Sequence, residues 1–355
     1  MNTPLDVLVV GAGISGLTTA HQLHAAGLRV LVCEASGRVG GRLRSVTPGA
    51  QWSAQPGFQL DLGATWVWPH ERRVRALAAR LGVSTFPAAE TGSLMFDGPQ
   101  GVQRMPAGPG SGALRLAGGT AALPAAVAAA LPPGALLLGS PVAALETSAD
   151  GIRATLAGGE AIHAAQVVLA LPPALALERI TISPELPDPL RQVMASTPVW
   201  MGTIVKLIAT FPRAFWRDAG LSGSSISHRG PAQEIHDLSA SGNGPAALFG
   251  FSSPTGPQAP APSTDEFVEQ LVRIFGPQAA EATFTVSQDW RREPWITPSA
   301  GVPRGDYALF GHPAYHRSYL CERLRFCSCE TAGQGGHIED ALTAVERVVQ
   351  QILAG

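Results

Sequence analysis

Leu5-Asp6-Val7-Leu8-Val9-Val10-Gly11-Ala12-Gly13-Ile14-Ser15-Gly16 is an apolar, β-branched run that closes on glycines spaced G-x-G-x-x-G. The run before Gly11 reads as a strand buried on both faces, and Leu17 to Ala26 continues at helical spacing to a stop at Gly27. Arg29-Val30-Leu31-Val32-Cys33 is a second strand, ending at Glu34 and Ala35. The whole is a βαβ unit of about 30 residues, the context that gives the glycine pattern its meaning. Gly11 permits the tight turn, Gly13 lets the backbone approach a diphosphate, and Gly16 lets helix pack on strand. The helix start at Ile14 and Ser15 offers free N–H groups and partial positive charge to an anion. Glu34, 18 residues after Gly16, suits ribose hydroxyls and disfavours a 2′-phosphate.

The rest of the 355-residue chain narrows the class. Lys plus Arg is 25 against 27 Asp plus Glu, a net charge of −2, so no nucleic-acid partner and no polybasic membrane contact is expected. Four cysteines in so long a chain do not make a disulfide scaffold. The longest apolar stretch, 164–177, is broken by Pro172-Pro173, and the N-terminus lacks a basic leader, which reads as a cytoplasmic protein. One lysine, Lys206, stands against 24 arginines, and its flanks are apolar.

Helices are expected over 70–81, from Gly119-Thr120 to Leu131, over 266–275 and at the C-terminus. Strands are expected over 167–171, 204–211, 249–251 and 324–329, with a proline-rich loop over 254–263. Cys327 and Cys329 would then alternate on one strand face, as a buried pair rather than metal ligands.

Gly37-Arg38-Val39-Gly40-Gly41-Arg42 completes, with Glu34, the pattern E-x5-G-G-R. Glycines there let the chain press on the far side of a diphosphate, and Arg42 adds charge. This continuation resembles the flavin-containing amine oxidases, the family of monoamine, polyamine and L-amino-acid oxidases. Asp61-Leu62-Gly63-Ala64-Thr65-Trp66 is similar to the family segment beside the isoalloxazine ring. Pro141-Val142 is similar to the strand that meets the adenine, and Leu169-Ala170-Leu171-Pro172-Pro173 to a further family signature. Glu330-Thr331-Ala332 and Gly336-His337-Ile338-Glu339-Asp340-Ala341 resemble the closing motif at the diphosphate and flavin. Lys206 falls where the family's lysine reaches a water near flavin N5.

The resemblance implies an α/β fold: an FAD-binding Rossmann-like domain of the glutathione-reductase type, with an interleaved mixed-sheet α+β substrate domain. The expected division is 1–75, 117–180 and 285–355 for the first, and 76–116 and 181–284 for the second. It implies noncovalent FAD, since no cysteine lies near Ser299-Ala300. It also implies hydride transfer to flavin N5 from a carbon bearing nitrogen in a small amine or amino acid, with oxygen as acceptor.

Departures keep the substrate open. The family's two cage aromatics align near Ala300 and at His337, the latter a loop histidine or a neutral substrate contact. Trp66, Trp290 or Trp295 would supply a wall instead. Only about 40 residues separate the first α/β block from the Gly118-Gly119 helix, which points to an open cavity. A renalase-like or desaturase-type flavoprotein, or a flavin-binding protein without amine turnover, remains the alternative reading, with an NAD dehydrogenase behind both.

Overall fold

The computed structural model describes residues 5–48, 58–240, 245–256, 258–301, 307–333 and 335–355. The opening run is the strand Leu5–Val10, followed by the helix Ile14–Ala25 and the strand Val30–Cys33. Alternate residues of the first strand enter two separate cores. Val7 and Val9 pack with Leu17, Leu23 and Val345, while Leu8 and Val10 pack with Val167, Leu169 and Phe326. Burial on both faces is why the sequence there is continuously apolar.

Among the described residues, this strand pairs in parallel with Val30–Cys33 on one side and Ala161–Leu169 on the other. Leu324–Phe326 returns from far along the chain to pair in parallel with Ala161–Leu169. The antiparallel strands Val142–Thr147 and Ile152–Leu156 extend the same sheet, and Thr181–Ser183 closes its edge. The helix Ile14–Ala25 packs against the last helix, Ile338–Leu353, and against Ala122–Ala129. Segments distant in sequence therefore build one layered unit around the glycine loop.

The second sheet runs in the order Phe284–Asp289, Val205–Phe211, Ala246–Ser252, Glu234–Asp237, Leu221–Ser227, Ser93–Gly98, Gly101–Met105. Val205–Phe211 is buried at every position. Its odd-numbered residues meet Phe267, Leu271 and Ile274 of the helix Thr264–Phe275, which begins with a Ser263/Glu266 capping box. Ile208, with Phe249, faces Leu60 and Leu62 instead, and Lys206 shares that face by the two-residue period.

Some expectations shift. The 249–251 strand is longer, Ala246–Ser252, because it pairs on both sides. The 254–263 loop holds no strand or helix among its described residues, which exclude Pro257. Cys327 and Cys329 do not alternate along a strand: the strand ends at Phe326, and Cys329 opens a 3₁₀ turn whose backbone is tied by Ser328 and Thr331. Thr181–Ser183 pairs within the first sheet and Phe284–Asp289 within the second, so sheet membership departs from the expected boundaries at 181 and 285.

Candidate active site

A single cavity of about 500 Å³ runs from the glycine loop to the second sheet. At one end Gly13 caps the first helix with extended backbone, and no acidic residue occupies the first turn. A Cβ on Gly13 would meet nothing within 4 Å, whereas one on Gly16 would collide with the carbonyl oxygen of Gly11. Gly13 thus faces open space and Gly16 faces the chain. Gly13 and Gly40 form a parallel bridge, which folds the second glycine pair over the first.

Glu34 is 8% exposed at the end of its strand. Its Oε2 accepts the Ala12 amide at 2.6 Å, and its Oε1 accepts the Ser36 amide and hydroxyl, each at 2.8 Å. A carboxylate has about four acceptor sites, so one remains for an incoming hydroxyl. The cradle, the vacant acceptor and the uncompensated helix terminus fit a dinucleotide.

Arg42 lines the cavity and also has a partner within the protein. It forms a two-pronged pair with Glu330, at 2.5 and 3.2 Å, and also donates to the Trp200 carbonyl. Burial raises the Glu330 carboxyl, but the Arg42 charge and hydrogen bonds pull it below the ordinary range. Arg42 still lines the cavity, but its charge is largely spent on Glu330.

All the expected cofactor residues line the cavity except Gly16 and Glu330, which stand one layer behind: Gly11, Gly13, Ile14, Ser15, Glu34, Ala35, Gly40, Gly41, Arg42, Gly63, Ala64, Thr65, Trp66, Val142 and Ile338.

At the other end Lys206 is fully buried. Its ammonium donates to the Gly63 carbonyl at 3.0 Å and to the Thr65 hydroxyl, and lies 4.1 Å from the centroid of the Phe249 ring. Burial lowers its proton affinity, Asp61 opposes this, Arg115 adds to it, and the net position is about 7. Lys206 does not itself line the cavity; Gly63 and Thr65 stand between.

His337 does line it. It is the N-cap of the last helix, and its Nδ1 lies 2.8 Å from Glu71 Oε1. That bond raises the imidazole's proton affinity, burial opposes it, and the Glu71 and Asp340 charges add to it. Pairing with Glu71 thus favours the protonated ring at this helix cap.

The expectation for Trp290 is corrected. It is fully buried, its indole donates to the Leu62 carbonyl at 2.8 Å, and it packs with Val199, Met201 and Ile296 behind the wall. That hydrogen bond ties it to the 61–65 segment. Ala300 lies on an exposed turn away from the cavity.

The aromatic wall comes from Trp66, Trp68, Trp200, Phe251, Trp295 and Tyr307. Trp200 stands 5.7 Å from Tyr307 and 6.2 Å from His337, ring centre to ring centre. Sequence reasoning missed Trp68, Trp200, Tyr307 and Phe251. The position of Trp200 just ahead of the Lys206 strand was the one available signal.

Residues 14–98 and 93–353 match the family model described as flavin containing amine oxidoreductase. The chain belongs to that family. Flavin amine oxidoreductases carry a flavin, which agrees with the dinucleotide cradle. Amine oxidase [flavin-containing] B of Homo sapiens is 40% identical over 95 residues, 27% of this chain and 17% of the human protein. The chain thus matches only a small part of that relative's length. An L-amino acid dehydrogenase of Synechocystis sp. (strain ATCC 27184 / PCC 6803 / Kazusa) is 26% identical over 460 positions, covering 98% of this chain and 94% of its own. Cyclohexylamine oxidase from Brevibacterium oxydans IH-35A superposes with a TM-score of 0.85 at 22% identity, covering 99% of both chains. A wild-type putrescine oxidase bound to putrescine superposes with a TM-score of 0.82 at 22% identity, covering 99% of this chain and all of its own. The fold is that of the FAD-dependent amine oxidases. Among the described residues no helix is long and apolar enough to cross a membrane, and no His, Cys, Asp and Glu cluster could hold a metal.

Proposed function

We propose that the chain is an FAD-dependent oxidoreductase that oxidises the C–N bond of a small amine or amino acid, with oxygen as electron acceptor. One observation carries this: a single cavity joins a dinucleotide cradle to an aromatic chamber backed by the one lysine. Residues 1–75, 117–180 and 285–355 are assigned to the cofactor and 76–116 and 181–284 to the substrate, apart from the two strands noted above.

When bound, the flavin would supply the two-electron acceptor for this oxidation. The chain's own residues do the rest. Gly13 and the helix terminus would receive the diphosphate, Glu34 would hold the ribose, Val142 would border the adenine, and Ile338 would present its backbone N–H. Gly63 to Trp66 would line the ring, with Lys206 fixed behind them through Thr65. Trp66, Trp200, Phe251 and Tyr307 exclude water, and an apolar chamber lowers the pKa of an entering amine. The amine nitrogen then keeps its lone pair for the developing iminium. His337, paired with Glu71, contacts the substrate as a donor.

A noncovalent flavin accords with the thiols on the cavity wall. Burial pushes Cys33 up to about 11 and Cys329 higher still, so neither is a ready nucleophile. The four cysteines are unpaired, in keeping with a cytoplasmic location.

The test is the visible spectrum of the purified protein, repeated on the supernatant after acid precipitation, then anaerobic mixing with amines and amino acids. Two flavin bands released by acid and bleached by an amine support the proposal. Bands left in the pellet refute the noncovalent assignment. Bleaching by a dihydronicotinamide alone, or by nothing, refutes the amine assignment.

A further inference from the structure

Three charged groups are buried together behind the aromatic end of the cavity. Asp61 is fully buried, and its Oδ1 accepts from the Ser45 hydroxyl and the Thr120 amide, both at 2.7 Å, and from the Thr120 hydroxyl at 3.1 Å. Among the described residues its Oδ2 makes no hydrogen bond, and it faces Arg115 Nη2 at 3.8 Å. Arg115 is 2% exposed, donates from Nη1 to the Ser239 carbonyl at 2.6 Å, and rests 5.3 Å from the Phe86 ring centre. Two and four residues beyond Asp61, Gly63 and Thr65 receive the Lys206 ammonium. We propose that Arg115, acting through Asp61, is the positioning residue that tilts the charge state of the buried Lys206.

A carboxylate buried near a lysine ordinarily holds the lysine's proton in place. Here a guanidinium that cannot deprotonate answers the same carboxylate and repels a second cation. Burial is the larger influence favouring a neutral lysine, and both effects of Arg115 add to it, in line with the position near 7. The other elements around Lys206 add little charge of their own. Its register partners are Phe251 and Gln288, and Gln288 accepts from Arg44, which lies 3.5 Å from Glu293. One strand further, His236 sits against Trp66 and Phe249, with Glu234 3.6 Å from its Nε2. The consequence is a lysine that can give up or take a proton near neutral pH, directly behind Thr65 of the cavity wall.

The catalytic meaning rests on the placement of Lys206 beside the flavin, but its charge state can be read without turnover. Because Lys206 is the only lysine, protein grown on lysine labelled with ¹³C at Cε gives one lysine signal. In the wild-type protein as purified, that signal should titrate well below the ordinary lysine range. In Arg115→Met the midpoint should rise by at least about one pH unit, a tenfold gain in proton affinity. In Asp61→Asn it should fall, with Arg115→Gln as a milder companion should either variant fold poorly. An ordinary wild-type midpoint overturns the proposal whatever the variants do. A folded Arg115 variant with an unmoved midpoint also overturns it, since a merely structural arginine would alter stability and leave the titration in place. A colourless protein would refute the flavin reading while leaving this titration fully interpretable.

Discussion

The ammonium of Lys206 is bonded to the carbonyl oxygen of Gly63 at 3.0 Å, across 143 positions of sequence. That bond ties the centre of the second sheet to the loop lining the cofactor cavity. It also places the chain's only lysine out of reach of solvent, with Gly63 and Thr65 as its hydrogen-bond partners among the described residues.

Lys206→Met should keep flavin bound and slow flavin reduction or reoxidation at least about tenfold, the scale of a single positioned proton-handling group. Anaerobic and oxygen-mixing stopped-flow traces check the two half-reactions separately. Wild-type rates in both would remove Lys206 from the chemistry.

The same lysine shapes stability. Its folded position is about 7, against about 10.4 unfolded, so between these values the unfolded chain binds more protons and stability rises with pH. The contribution is on the order of 4 kcal/mol across that window, lost in full below it. Lys206→Met should flatten this rise, as read by denaturant unfolding at a series of pH values with flavin in excess.

Gly13 and Gly16 should separate folding from binding. A Cβ at position 16 strikes the Gly11 carbonyl, so Gly16→Ala should lower the melting temperature and flavin content together. At position 13 a Cβ enters only the cavity, so Gly13→Ala should melt as wild type while retaining less flavin. Equal flavin retention in Gly13→Ala would move the diphosphate elsewhere.

Glu330→Gln leaves a buried guanidinium facing a neutral partner. Glu330 is fully buried and Arg42 is 17% exposed at its side chain. Removing one member of such a pair costs about 3–5 kcal/mol. Chemical denaturation measures that loss, and flavin release should accelerate because Arg42 also lines the cavity.

Glu71→Gln should lower the pH at which His337 titrates, since the bond to Glu71 is what raises it. With a raised folded value, His337 contributes stability that is present below about pH 6.5 and lost as pH rises through the folded value. The ring's NMR titration, assigned with His337→Asn, checks the shift. An unchanged midpoint in Glu71→Gln would mean the pair is only a helix cap.

Residues at the cofactor end were legible because their signal is local. A strand period of two, a helix period near 3.6 and a fixed glycine spacing are properties of contiguous chain, so Leu5 to Glu34 could be read directly. The lysine stood out by count alone. The substrate end was misread in part: Trp290 has the composition of a cavity wall, yet its indole N–H finds the Leu62 carbonyl and goes to the core.

Sequence alone determined the βαβ unit, the glycine cradle, the acidic residue that ends its second strand and the unusual standing of Lys206. Tertiary structure decided which aromatics meet across the cavity, that Arg42 serves Glu330, and that Asp61 and Arg115 lie behind the lysine. The physical reason is register. Lys206 faces the cavity side because Phe251 and Gln288 pair with it across the sheet, and a slip of one residue would turn it into the helix-covered core. No stretch of contiguous sequence encodes that pairing.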